Sequence, residues 1–174
     1  MKNPTKNLKI FSFLFTMMFI FCNYCFSACS ETMPIGENFI GYQNAFEGNS
    51  YAGIYLYAQK EYREYISTKL LSNLEKGKTY IISFMVSKAE NTEYAIDEFN
   101  VLFTKKEIFQ NDSKFIDIKA LPKSYAPKLI KVKEHESYKN TELWQEVSAI
   151  YVATGNESYL TIGNFKNNHA TKRL

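Results

Sequence analysis

Histidine and cysteine are scarce in this chain, and most of it carries no excess of either charge. His135 and His169 are the only histidines, and neither stands at metal-ligand spacing from another His or Cys. His135 lies between Glu134 and Glu136, the setting of a solvated charged stretch, and His169 lies in a polar tail. Asp97 and Glu98 are adjacent, so on a strand they point to opposite faces and cannot cooperate directly. The chain has no catalytic triad pattern and no glycine-rich phosphate loop. An enzyme needs a positioned acid, base, nucleophile or metal ligand set, so these gaps argue for a non-enzymatic protein with no catalytic and no metal residues.

The charge is unevenly placed. No acid occurs before Glu31, whereas Lys2, Lys6 and Lys9 precede the first apolar run. Of the 21 Lys and Arg, these three belong to the leader, and the remaining 18 equal the 18 Asp and Glu. A nucleic-acid binder needs a basic surface excess, and a balanced body argues against one. Lys128, Lys131 and Lys133 are expected to form a solvated strand face.

The first apolar run, residues 10–21, is shorter than the about 20 residues that a spanning helix needs. A basic segment followed by such a run is the pattern of an export signal. Residues 1–28 are therefore expected to be a signal peptide with a helical apolar segment, and residues 29–174 a single domain. The minority reading is an uncleaved anchor. Cys25-Phe26-Ser27 suits cleavage before Ala28; Phe26-Ser27-Ala28-Cys29 resembles a bacterial lipobox, with lipid on Cys29. Cys22 and Cys25 are spaced as Cys-x-x-Cys but lack a second ligand pair, so they are incidental to the signal. After cleavage only Cys29 remains, and stability must come from the core without an internal disulfide.

What the chain has in plenty is aromatics: 13 Tyr, 14 Phe and 1 Trp, or 16%. Such residues fit the pleated, half-buried surface of a strand. Residues 51–57 read as a strand with Tyr51, Gly53, Tyr55 and Tyr57 on one face and Ala52, Ile54 and Leu56 on the core face. Residues 62–70 read as a strand in an otherwise ambiguous stretch, and a turn with Gly77 at its tip follows. Residues 79–86 place Tyr80, Ile82, Phe84 and Val86 on one face, and residues 97–104 do the same with Phe99, Val101 and Phe103. Residues 109–128 read as a long loop with a short strand near 115–118, followed by a short strand over 129–132. Residues 144–153 alternate, Thr154-Gly155-Asn156-Glu157 reads as a hairpin turn, and residues 159–165 return with Leu160 and Ile162 inward. Short strands without alternating helices point to an all-β fold, an antiparallel β-sandwich.

Gly41-Tyr42-Gln43, Gly48-Asn49-Ser50-Tyr51-Ala52-Gly53-Ile54 and Tyr62-Arg63-Glu64-Tyr65-Ile66 resemble a galactose-binding-like jelly-roll module of Bacteroidota cell-envelope proteins. So do Leu74-x-x-Gly77-Lys78-x-Tyr80, Trp144 with its strand, and Tyr159-Leu160-Thr161-Ile162-Gly163-Asn164-Phe165. The resemblance implies a jelly-roll fold and an address at the cell surface, outer membrane or periplasm. It departs from the family pattern at both ends, where an opening strand and a closing Tyr-x-x-Asp-Asp strand are expected. Open sheet edges invite strand pairing with a partner chain.

Carbohydrate is the natural ligand for the residue types in the 41–66 stretch. Aromatic faces stack on the apolar faces of sugars, while amides and guanidinium groups fix hydroxyls. Tyr42, Gln43, Tyr51, Tyr55, Tyr57, Arg63 and Tyr65 supply those types. Each also has a structural reading as half-buried strand packing, and Trp144 reads as core. Asn49 and Asp97 offer oxygens toward a structural calcium, but calcium needs about six to eight, so no cofactor is expected. The leading expectation is an exported module that binds a glycan or an envelope protein, with membrane contact only through a lipid anchor or an uncleaved signal. The alternatives are a structural envelope protein and a truncated paralogue without ligand.

Overall fold

The most regular apolar alternations become the longest strands. In the computed structural model the described residues are 6–9, 37–38, 41–47, 51–110, 112, 114–133 and 139–174. Among them run β1 (Lys6–Lys9), β2 (Glu37–Asn38), β3 (Gly41–Tyr42), β4 (Ile66–Lys69), β5 (Thr79–Val86), β6 (Glu98–Thr104), β7 (Lys128–Lys133), β8 (Gln145–Val152) and β9 (Tyr159–Gly163). The fold is all-β and mostly antiparallel. The apolar run of the leader, Cys22, Cys25, Cys29, the Gly48-Asn49 turn and His135 lie outside the described residues.

A three-stranded sheet has the order β1-β5-β8, and a four-stranded sheet the order β4-β9-β6-β7. Tyr80, Ile82 and Phe84 of β5 and Val147 of β8 share one core with Val101 and Phe103 of β6, Val132 of β7, and Leu160 and Ile162 of β9. Phe103 stacks on Tyr151 between the sheets at 5.0 Å, and Phe84 meets Phe99 edge-on at 5.9 Å. A second cluster, Leu102, Ile116 and Phe165, covers the other face of the four-stranded sheet. β6 is buried on both faces because the long loop before β7 folds back over it.

Four local expectations change. The strand expected over residues 62–70 is confined to β4, Ile66–Lys69, with Tyr62 in an isolated bridge to Lys114. Residues 51–57 form no strand, and Ala52, Ile54 and Leu56 are only half-buried. Their backbone is satisfied elsewhere: Tyr55 donates its N–H to Glu64 Oε2, its carbonyl accepts from Glu64 N–H, and the Leu56 carbonyl accepts from Asn164 Nδ2. With those groups engaged, no ladder is needed. The short strand near 115–118 is absent. Lys114 makes an isolated bridge with Tyr62, and Ile118–Ala120 is a 3-10 turn whose start Asp117 caps by accepting from Lys119 N–H. Finally, residues 154–157 are not a hairpin. They carry the chain from β8 in one sheet to β9 in the other, so the turn is a corner between layers. Gly155 takes φ +87° there, a conformation that side chains other than glycine's disfavour.

Candidate binding site at the loop after β5

The loop joining β5 to β6, residues 87–97, is held from three sides. Gln43 Nε2 donates to Ser87 Oγ at 3.0 Å and to the Thr141 and Glu142 carbonyls at 3.3 Å, and Tyr42 N–H donates to Glu90 Oε2. Lys88 N–H donates to the Asn140 carbonyl. On the far side the chain's last residues lie antiparallel to the loop, with Ile96 opposite Arg173. Leu174 N–H donates to the Ala95 carbonyl at 2.9 Å, and Asp97 N–H to that of Lys172. The three attachments fix a rim at one end of the two sheets.

Two aromatic clusters stand on that rim. Tyr51 meets Trp144 edge-on at 5.5 Å, and Trp144 Nε1 donates to the Asn44 carbonyl at 2.7 Å. Trp144 thus packs beside the rim and not in the shared core where the sequence reading puts it. Tyr42 is 49% exposed, and its hydroxyl donates to Asn44 Oδ1. In the second cluster Tyr57 and Tyr94 meet edge-on at 6.4 Å. The Arg173 guanidinium lies 5.3 Å from the Tyr57 ring centre and 4.9 Å from that of Tyr94. Tyr94 is 40% exposed, and its hydroxyl donates to Glu93, a bond that raises its pKa.

Arg63 stands behind this second cluster, 2% exposed. Nη1 donates to the Tyr62 carbonyl, and Nη2 to the Lys166 carbonyl and to Asn168 Oδ1 at 2.7 Å. Glu61 lies at 4.0 Å, and Tyr57 covers the guanidinium at 5.4 Å. Burial lowers the pKa of Arg63, but an arginine keeps its proton at neutral pH. Arg63 therefore braces the segment that leads to Arg173. Its buried Nε has no hydrogen-bond partner among the described residues.

The remaining candidates spread away from the rim. Tyr55 packs edge-on with Tyr62 at 5.8 Å. Tyr65 donates its hydroxyl to the Asn164 carbonyl and accepts from Ile116 N–H, and burial pushes its phenol up to about 12. The seven residues singled out in the sequence thus divide. Tyr42 and Tyr51 present ring surface at the rim, Tyr57 lies there against the Arg63 and Arg173 guanidiniums, Gln43 and Arg63 brace it, and Tyr55 and Tyr65 pack away from it. Tyr94 and Arg173 escaped the sequence reading, because neither sits in an aromatic run and only long-range pairing brings them together.

Nearby charges serve structure. Lys166 Nζ reaches Glu98 at 2.8 Å and Asp97 at 3.9 Å, so the two adjacent carboxylates converge on one ammonium despite their alternation. Among the described residues, no group of three or more His, Cys, Asp or Glu is placed to hold a metal ion. No protein-family model, curated protein or solved structure matches the chain.

Proposed function

We propose that this chain is an exported, non-enzymatic β-sandwich of the jelly-roll type that binds carbohydrate or an envelope partner at the cell surface. The observation that carries the reading is the rim: two clusters of partly exposed aromatic rings, fixed by backbone pairing and flanked by amide and guanidinium donors. Rings held in this way lose little conformational entropy when a flat ligand face covers them. The basic leader and its apolar run support export. A glycan array probed with the wild-type chain and with Tyr42→Ala and Tyr94→Ala tests it. A defined sugar signal that falls at least tenfold in one variant is expected; no signal on any glycan overturns carbohydrate binding.

A second reading, a structural envelope protein that pairs strands with a neighbour, rests on a different feature. β1 lies parallel to β5 along Tyr80–Ser83, and the residues of β1 belong to the expected signal peptide. Removal of that segment would leave the β5 edge unpaired. A soluble monomer of the processed chain in size-exclusion chromatography would count against this reading.

A further inference from the structure

The Arg173 side chain is held by its surroundings. A surface arginine ordinarily samples many rotamers and loses that freedom on binding. Here the backbone on both sides of Arg173 is paired with Ala95 and Asp97. Two residues earlier, Thr171 is buried: its hydroxyl donates to the Asn167 carbonyl and accepts from Asn164 Nδ2 at 2.9 Å. The side chain is then held against two tyrosine rings. A cation–ring contact uses none of the guanidinium's N–H groups as hydrogen-bond donors to a carboxylate, so a fork can still be offered to one.

The local charges are unevenly committed. Glu93 is engaged by the Tyr94 hydroxyl, and Glu61 accepts from Asn168 N–H and faces Arg63. Among the described residues Arg173 makes no ion pair and no side-chain hydrogen bond. Two guanidinium groups approach the single Tyr57 ring, at 5.4 and 5.3 Å, and among the described residues the outer one, unlike Arg63, has no carboxylate within ion-pair distance.

The geometry points to a carboxylate-binding subsite at Arg173, walled by Tyr57 and Tyr94, for an acidic sugar of the uronic-acid class. The inference rests on the glycan reading above and narrows it. A carboxylate matches the arginine fork with two parallel hydrogen bonds, and Tyr94, 40% exposed, supplies ring surface for the apolar face of the same sugar. A neutral sugar would use the ring and leave the fork unfilled.

The test is calorimetric titration of the full chain, in mild detergent, with a galacturonate oligosaccharide and with the same oligosaccharide after carboxyl reduction. At low salt the wild type is expected to bind the acidic form at least tenfold more tightly. Arg173→Gln should abolish that preference, and Arg173→Lys should keep only part of it, since an ammonium lacks the planar fork. Unchanged unfolding midpoints would show that the variants fold. Equal affinity for both sugars, or a preference that survives in Arg173→Gln, overturns the subsite. If neither sugar binds but the array shows a neutral one, the subsite fails and the glycan reading stands. Failure of every glycan overturns both.

Discussion

A single buried carboxylate holds the corner between the two sheets. Glu157 accepts from the Tyr151 hydroxyl, from the Thr154 hydroxyl and N–H, and from the N–H groups of Gly155 and Asn156. Burial pushes its pKa up, but the Thr154 and Tyr151 donors and the backbone N–H groups outweigh that and bring it down to about 2. The same contact, with burial, raises the Tyr151 phenol. A depressed carboxyl stabilises the fold fully above its unfolded value, here 4.5, and the contribution disappears as pH falls through about 2. The expected contribution at neutral pH is about 3 kcal/mol. Urea unfolding should show wild-type stability declining between pH 5 and 2. Glu157→Gln, which offers those donors fewer acceptors, should be weaker by about that amount at pH 7 and flatter across the range. Equal pH slopes in the two proteins would refute this account. Alternation put Tyr151 in step with Val147, Ala149 and Ala153 along β8 and made Leu160 legible as an inward residue of β9. It gave no hint that the glutamate between them was buried, because its partners come from a corner that read as a hairpin.

At the scale of elements, β9 depends on a missing side chain. A Cβ on Gly163 would stand 2.3 Å from Tyr65 Cδ1 and 2.8 Å from Cε1. The Tyr65 ring cannot retreat easily. It is tilted against Phe165 at 5.0 Å, and its hydroxyl is bonded to the Asn164 carbonyl and Ile116 N–H. Gly163→Ala should cost roughly 1–3 kcal/mol through overpacking, and chemical denaturation of the variant measures it. Tyr65→Ala in the same background should recover the part due to the clash; simple additivity of the two losses would show that the ring and the glycine are not coupled. Elements with a strict period of two, β5, β6, β8 and β9, match the sequence to within a residue or two at each end. Residues 51–57 misled because tyrosine and isoleucine alternate there just as in a strand. Side chains of Glu64, Asn164 and Asn168 take up backbone groups of residues 55–58 instead, and no local pattern records that competition.

For the whole molecule, the arrangement of the two sheets decides what is exposed. β5 contributes its inner face to the shared core and pairs with β8, whose outer face shows Ile150 at 74% exposure opposite Ile81. The β5 edge beside this patch is the one that β1 covers. An edge next to exposed apolar residues is a template for another strand, which is why the oligomeric state of the processed chain separates the two readings of function. The opposite surface differs in kind. The four-stranded sheet is covered by the loop before β7, and the rim draws on segments far apart in the chain: residues 42–44, 51, 57, 94, 144 and 173.

The sequence alone determined the all-β class, the inward residues of the longer strands, the balanced charge of residues 29–174 and the basic, apolar character of the N-terminal segment, because each is a matter of composition or of local period. Tertiary structure decided that β8 and β9 lie in different sheets, that Arg63 is buried as a brace, and that Arg173 stands between two tyrosines. Each of those depends on which distant backbone groups pair, and side-chain period along a strand is silent about its neighbours.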